Sequence, residues 1–195
     1  TSKLNVGRKN SEKPTEITLF WDNSLSQKDK KINSEIEFLE AYFKNNTNVK
    51  VNLVVFNFKQ QLKKMYSIQN SNWASLKNKL LETVYDGATS FDFFKTYKDY
   101  SDVNFVFTNG LNTLSSLELN FEKTTHFVNS ITSANHNQLK YLANNSGGYY
   151  INLQQSSIKD AIAKTLTKPL QILGTNFSSK EVEIYPKIGS LVSEN

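Results

Sequence analysis

Hydrophobic residues along this chain fall into short runs separated by amphipathic stretches. Each run is rich in Val, Ile, Leu and Phe and ends within a few residues, which is typical of buried strands. The predicted strands are 16–22, 49–58, 62–68, 103–108, 126–128 and 149–153. Helices are predicted between them at 27–44, from 71 or 72 to 84, at 91–97, 139–144 and 156–166.

The helical predictions rest on spacing. In 27–44, Ile32, Ile36, Leu39 and Phe43 follow one another at steps of four, three and four residues, which places them on one face of a helix. The lysine-rich stretch 28–31 is then expected on a solvated face. The second helix would carry Trp73, Leu76, Leu80 and Val84 toward the core.

Strands that alternate with helices predict an α/β fold with a doubly wound, mostly parallel central sheet and helices on both faces. The link between 49–58 and 62–68 is brief, so these strands are expected to pair antiparallel, with 62–68 at the edge of the sheet. The predicted domain covers 15–167. Residues 1–14 form a polar tail or linker, and 168–195 a C-terminal β extension or the start of a neighbouring β segment.

Composition narrows the functional classes. The net charge is +5, but Arg8 is the only arginine and the lysines are scattered, so we predict no binding to nucleic acid. Cysteine is absent, which rules out disulfides, thiolate catalysis and zinc–sulfur sites. The apolar runs are far shorter than the roughly 18 residues of a membrane span, so none is expected in this segment.

Polar residues stand where the first and third long strands end. Asp22, Ser24 and Ser26 follow the first strand, and Asn109 follows 103–108. A further loop, 85–90, carries Thr89. Ligands of open α/β sheets bind at the carboxyl ends of the strands, and hydroxyl and carboxylate oxygens suit hard divalent cations. The pattern therefore predicts a cation site at this edge.

These loops resemble the metal-ion-dependent adhesion site of von Willebrand factor A domains. The family's first loop is Asp-x-Ser-x-Ser, as at 22–26; its second supplies a threonine after glycine, as in Gly87-Ala88-Thr89. The third is usually Thr-Asp-Gly, where this chain has Thr108-Asn109-Gly110. The amino-acid sequence at 20–26 and 85–87 is most similar to that of bacterial A domains that accompany a vault/inter-α-trypsin-inhibitor module.

The resemblance implies a non-enzymatic protein-binding or adhesion module. A Mg²⁺ ion, or Mn²⁺ or Ca²⁺, would be held by the two serines directly, by Asp22 through water or directly, by a switchable Thr89 and by a weak, distal Asn109. The ion would bridge to an acidic group of a protein or extracellular partner, with Asn23, Asp86 and Ser90 as ligand-binding neighbours. Neighbouring β domains of the same chain would be further partners. The expected location is extracellular, on the cell surface or periplasmic, within a larger bacterial protein.

Asn109 departs from the family pattern. It lowers the protein's formal ligand charge from about −2 to about −1, which weakens attraction for a divalent ion. Asp86 or Asp92 would have to supply the missing charge. The alternative is a structural or interaction module of a larger secreted or surface protein, with a degenerate, metal-free site.

Two enzymatic interpretations are disfavoured. Asp22 at a strand end suggests a phosphotransferase nucleophile, but haloacid dehalogenases place a second aspartate two residues on, where this chain has Ser24. His126 and His136 have no neighbouring nucleophile or carboxylate pattern, so core or surface roles are expected. Trp21 and Trp73 are expected in the core.

Overall fold

The structure, a computed structural model, describes residues 13–98, 100–112, 119 and 121–167. The predicted N-terminal tail lies outside this range except for residues 13 and 14. The predicted C-terminal β extension, 168–195, lies outside it completely.

Six strands form one sheet in the order β3-β2-β1-β4-β5-β6. Neighbouring strands run parallel except β3, which pairs antiparallel with β2 at one edge, as predicted. The strands are β1 (Glu16–Asp22), β2 (Val49–Phe56), β3 (Gln60–Ile68), β4 (Val103–Phe107), β5 (Thr124–Asn129) and β6 (Tyr150–Asn152).

Four α-helices and two short 3₁₀ helices connect these strands. The α-helices are α1 (Ile32–Asn45), α2 (Ala74–Leu81), α3 (His136–Asn145) and α4 (Ile158–Leu166), and the 3₁₀ helices are Leu25–Gln27 and Asp92–Lys95. Ser157 begins α4 as predicted, its side chain accepting a hydrogen bond from the Asp160 backbone N–H. In the described part of the chain, no helix combines the length and apolar character needed to cross a membrane.

The sheet is covered on both faces, as the alternating pattern predicts. Leu19 and Trp21 point into one core with α1, α2 and α4, while Phe20 points into the other with α3. Aromatic residues of the segment after the second loop complete that other core: Phe20 packs edge-on against Phe94 and Tyr97. Successive residues of β1 therefore serve opposite faces, as strand geometry requires.

Two of the predicted helix boundaries misplaced a side chain. The helix predicted at 27–44 begins at Ile32, because the chain first makes a 3₁₀ turn and then a bend. Lys30, expected on a solvated helix face, is buried in that bend and pairs with Glu35 of α1. The helix predicted to reach Val84 ends at Leu81, and Val84 is exposed in the following loop.

Three loops share the edge of the sheet at the carboxyl ends of β1 and β4, which we call the crest. The first loop is 23–31, the second 82–91 and the third 108–112. The second loop follows helix α2 rather than a strand, and two backbone hydrogen bonds fix it to the first. The fold thus brings together residues more than 80 positions apart in sequence.

Candidate metal centre at the carboxyl ends of the strands

Asp22 is the buried carboxylate of the site. One carboxylate oxygen, Oδ1, accepts the backbone N–H of Ser24 at 2.9 Å. The other, Oδ2, accepts the hydroxyl of Thr108 at 2.6 Å. Burial raises the pKa of Asp22, and these two hydrogen bonds and the charge of Lys30 oppose that rise. The carboxylate therefore links the first loop to the third, and its part in holding a cation stays a prediction.

Side-chain oxygens from two loops meet close to Asp22. The hydroxyls of Ser24 and Ser26 lie 3.1 Å apart. The Ser26 hydroxyl also donates to Oδ1 of Asn109 at 3.5 Å. The alternate residues of the first loop thus turn toward one point, and the third loop adds an amide oxygen there.

The Asn109 amide has a defined orientation. Its Oδ1 accepts the backbone N–H of Leu111 at 3.1 Å, and its Nδ2 donates to the backbone carbonyl of Ser26 at 3.2 Å. An aspartate could make the first contact but not the second, since it carries no N–H donor. Asn109 therefore joins the first and third loops by its own hydrogen bonds.

Thr89 is buried in the second loop, 1% exposed. That loop lies against the first through the backbone hydrogen bonds Leu25 N–H to Gly87 O and Asp86 N–H to Asn23 O, each 2.9 Å. The three loops of the predicted site therefore belong to one cluster. Ser24, Ser26 and Asn109 make direct side-chain contacts in it, and Thr89 lies buried in the adjoining loop.

The fold of this chain is similar to that of several solved structures. An aerotolerance-related membrane protein from Bacteroides fragilis superimposes with a TM-score of 0.56 at 13% identity, over 77% of this chain and 96% of that one. A von Willebrand factor type A protein from Catenulispora acidiphila gives a TM-score of 0.55 at 11% identity, over 78% of this chain and 42% of that one. The chain has the von Willebrand factor A fold.

A third similar structure, BatB from Bacteroides thetaiotaomicron, has a TM-score of 0.51 at 14% identity, over 77% of this chain and 97% of that one. No protein-family model and no curated protein matches the sequence. The fold-level resemblance inferred from the three loops is thus confirmed by structural similarity. At these identities the similarity concerns the fold and leaves the metal site a prediction.

The three predicted ligand-binding neighbours are tied into the loops of the A-type fold. Asn23 is buried and donates from Nδ2 to the Val84 carbonyl at 3.0 Å. Asp86 accepts from Nδ2 of Asn57 at 3.2 Å. The Ser90 hydroxyl donates to Asp92 at 3.3 Å. Their ligand-binding role stays a prediction.

The additional carboxylate that Asp86 or Asp92 would have to supply is engaged elsewhere. Asp92 pairs with Lys95 at 2.7 Å, and this hydrogen bond lowers the pKa of Asp92. Across the described ranges, no group of three or more His, Cys, Asp or Glu side chains is placed to hold a metal ion. Asp22 is therefore the charged member of the donor set.

Sequence reasoning missed a second polar cluster at the crest. Lys30 Nζ lies 2.9 Å from Oε2 of Glu35, and both side chains are buried. Oε1 of Glu35 accepts the hydroxyl of Ser130, just after β5, at 2.8 Å. Within a lysine-rich stretch, Lys30 has no sequence feature that distinguishes it from its exposed neighbours. Only the tertiary contact with Glu35 does so.

The donor set fits a hard cation in type and spacing. Octahedral Mg²⁺ with ligands at about 2.0–2.1 Å places adjacent oxygens about 3 Å apart, and Ca²⁺ at about 2.3–2.6 Å places them about 3.3–3.7 Å apart. The two contacts through Ser26, 3.1 and 3.5 Å, lie within this span. One carboxylate with neutral oxygens gives a weak but chemically suitable site.

Proposed function

We propose that this domain is a non-enzymatic protein-binding module whose crest holds a divalent cation that bridges to an acidic group of a partner. The observation that carries the proposal is the meeting of Ser24, Ser26 and Asn109 oxygens close to the buried carboxylate of Asp22. The A-type fold supports a role in protein interaction, and the cation and the acidic partner are our extension of it.

Each residue has a distinct part. Ser24 and Ser26 would be direct ligands, because their hydroxyls face one point. Asp22 would supply negative charge from behind, directly or through water. Asn109 would offer its amide oxygen weakly, since that atom already accepts two hydrogen bonds. Thr89 would be an exchangeable ligand from the second loop.

The neutral ligands explain why the partner would be acidic. A divalent ion held by one carboxylate keeps excess positive charge, which favours a carboxylate at an open coordination position. The ion supplies that electrostatic bridge, and the protein supplies its position. Neighbouring β domains of the same chain would be further partners.

A catalytic role is disfavoured by the surroundings of the candidate groups. Both oxygens of Asp22 accept hydrogen bonds from the protein, so the carboxylate is not presented as a nucleophile. His126 is buried, and its Nδ1 accepts the Tyr149 backbone N–H.

We place the domain outside the cytoplasm, on the cell surface, in the periplasm or in the extracellular space. The membrane protein from Bacteroides fragilis with the same fold supports that placement.

The cation is tested by titrating the wild-type domain with millimolar Mg²⁺, Mn²⁺ and Ca²⁺ in a calorimeter. We expect saturable binding of at least one ion, lost in Ser24→Ala with Ser26→Ala. A matched control replaces the exposed Ser67 and Ser75 with alanine and should bind as the wild type does. Absence of heat from all three ions would refute the cation site.

A metal-free structural module is the second candidate, and the Asn109 amide favours it. Its hydrogen bonds to Ser26 and Leu111 hold the first and third loops together without an ion. This alternative predicts that the melting temperature is the same in Mg²⁺ and in a chelator, both for the wild type and for Asp22→Ala with Ser24→Ala. The cation model predicts a Mg²⁺-dependent rise that only the wild type shows.

A further inference from the structure

The buried charges of the described domain are concentrated at the crest. Among its aspartate, glutamate, lysine and arginine side chains, three belong to buried residues: Asp22, Lys30 and Glu35. Lys30 and Glu35 side chains are 2% and 1% exposed. A charge so removed from water acts strongly on its neighbours, because little solvent screens it.

Lys30 is fixed in place by contacts from several elements. Its Nζ lies 2.9 Å from Glu35 of α1 and 3.5 Å from the centre of the Trp21 ring at the end of β1. The Tyr85 ring of the second loop lies 5.1 Å from it. Aromatic faces attract cations, and the attraction grows when the site is desolvated. The ammonium is therefore held at a defined position.

That position adjoins the candidate metal centre. Trp21, under the ammonium, precedes Asp22, and Lys30 belongs to the same loop as Ser24 and Ser26. The positive charge of Lys30 also lowers the pKa of Asp22, against the larger effect of burial. Lys30 and a cation in front of Asp22 would thus act on the same carboxylate.

The formal charges of these buried groups set the net charge of the crest with and without a bound cation. Two buried carboxylates and one ammonium leave a net charge of −1 at the crest. A divalent cation would change this to an excess of one positive charge, and one carboxylate from a partner would neutralise it. Without Lys30, the cation alone would neutralise the buried charges.

We propose that Lys30 is an internal counter-cation that weakens the crest's affinity for a free divalent ion and makes tight binding depend on an acidic ligand. This inference rests on the proposed cation site. It adds that the ion and the partner's acidic group bind cooperatively, and that this coupling is set by a residue that touches neither of them.

The experiment measures Mn²⁺ affinity by calorimetry in four variants. Lys30→Met should tighten Mn²⁺ binding about tenfold, and Glu35→Gln should weaken it about tenfold, since each changes one unscreened charge near the ion. Lys30→Met with Glu35→Gln restores the net charge and should bind as the wild type does. Lys28→Met removes an exposed lysine two residues away and is the matched control.

Acetate serves as the acidic probe. It should raise the Mn²⁺ affinity of the wild type and of Lys28→Met by the same factor, and that of Lys30→Met by a smaller one. Any acetate binding to Mn²⁺ in solution is common to all variants and cancels in this comparison. Melting temperatures give a second measurement: Mn²⁺ should stabilise Lys30→Met more than the wild type.

The outcomes separate this inference from the proposed function. If the wild type binds Mn²⁺ and Lys30→Met binds no more tightly than Lys28→Met, the cation site stands and the role of Lys30 is refuted. If only Lys30→Met binds, the role of Lys30 stands and the wild-type cation site is refuted. If neither binds, both are refuted. Should Lys30→Met fail to fold, Glu35→Gln decides, and an unchanged affinity there overturns the inference.

Discussion

Two polar clusters lie at the crest, and they are built differently. The cluster that we call open, because its groups are neutral, consists of Ser24, Ser26 and Asn109 from two loops, of which Ser24 and Asn109 are buried. The closed cluster consists of Lys30, Glu35 and Ser130, which come from the first loop, α1 and the residue after β5. Under the proposed function the open cluster exchanges a hydrogen bond for a ligand, whereas the closed cluster cannot lose a charge without leaving its partner buried and unpaired.

The difference in charge between the two clusters separates ligand binding from stabilisation of the loops. Neutral hydroxyl and amide groups lose little when a cation replaces a hydrogen bond between them, so the open cluster is suited to binding. A buried ion pair is costly to break although its net contribution is small. The closed cluster is therefore suited to holding the loops in one arrangement, and stability and binding should respond to different residues.

The largest effect is expected from breaking the closed cluster. Glu35→Ala leaves the Lys30 ammonium buried without its carboxylate, which should lower the free energy of unfolding by about 3–5 kcal/mol. Urea denaturation measures this. Glu37→Ala, an exposed glutamate on the same helix, should stay within about 0.5 kcal/mol of the wild type. A loss below about 1 kcal/mol for Glu35→Ala would show that the pair does not hold the loops.

The next largest effect is expected from His126, a buried histidine outside both clusters. Its pH dependence tests the stability of the core separately from that of the crest. Burial lowers the pKa of His126 to about 4, and its Nδ1 accepts the Tyr149 N–H at 3.1 Å. The unfolded chain, with a histidine pKa near 6.5, binds this proton more readily than the folded chain does. The contribution of His126 is therefore complete above about pH 6.5 and lost as the pH falls toward about 4, by about 3 kcal/mol in total.

Urea midpoints measured across that pH range check this expectation. His126→Gln should remove most of the slope between those limits, whereas His136→Gln, at the start of α3, should retain it. If the slope survives in His126→Gln, the acid sensitivity comes from groups other than His126. The raised pKa of Asp22 works in the opposite sense, since a folded state that binds its proton more tightly gains stability as the pH falls.

The same two clusters show what the sequence could and could not predict. Hydrophobic spacing predicted the alternation of strands and helices and a sheet covered on both faces, because strand and helix periods are local properties of the chain. The Asp22–Ser26 pattern also predicted that the hydroxyls of Ser24 and Ser26 turn toward one another. Lys30 was misjudged because its burial depends on Glu35 and Trp21, whose proximity arises only from the tertiary fold. Val84 was misjudged because the helix ends earlier than its apolar spacing suggests.

Asn109 gives the smallest expected effect and the one that tests the open cluster most directly. In Asn109→Asp, the N–H that donates to the Ser26 carbonyl is replaced by an oxygen, so two acceptors face each other. Without a cation, the free energy of unfolding should fall by about 1–3 kcal/mol, the cost of leaving a buried acceptor without a donor. With Mn²⁺ the added carboxylate should instead tighten ion binding about tenfold or more.

The expected signature of Asn109→Asp is a change of sign: a lower melting temperature than the wild type in a chelator and a higher one in saturating Mn²⁺. Asn48→Asp adds the same charge at an exposed position just before β2 begins, at the opposite end of that strand from the crest. It should show no such reversal. A variant that is less stable under both conditions would mean that the amide closes the loops in place of a metal. The open cluster would then be a structural contact like the closed one, and the distinction between the two would fail.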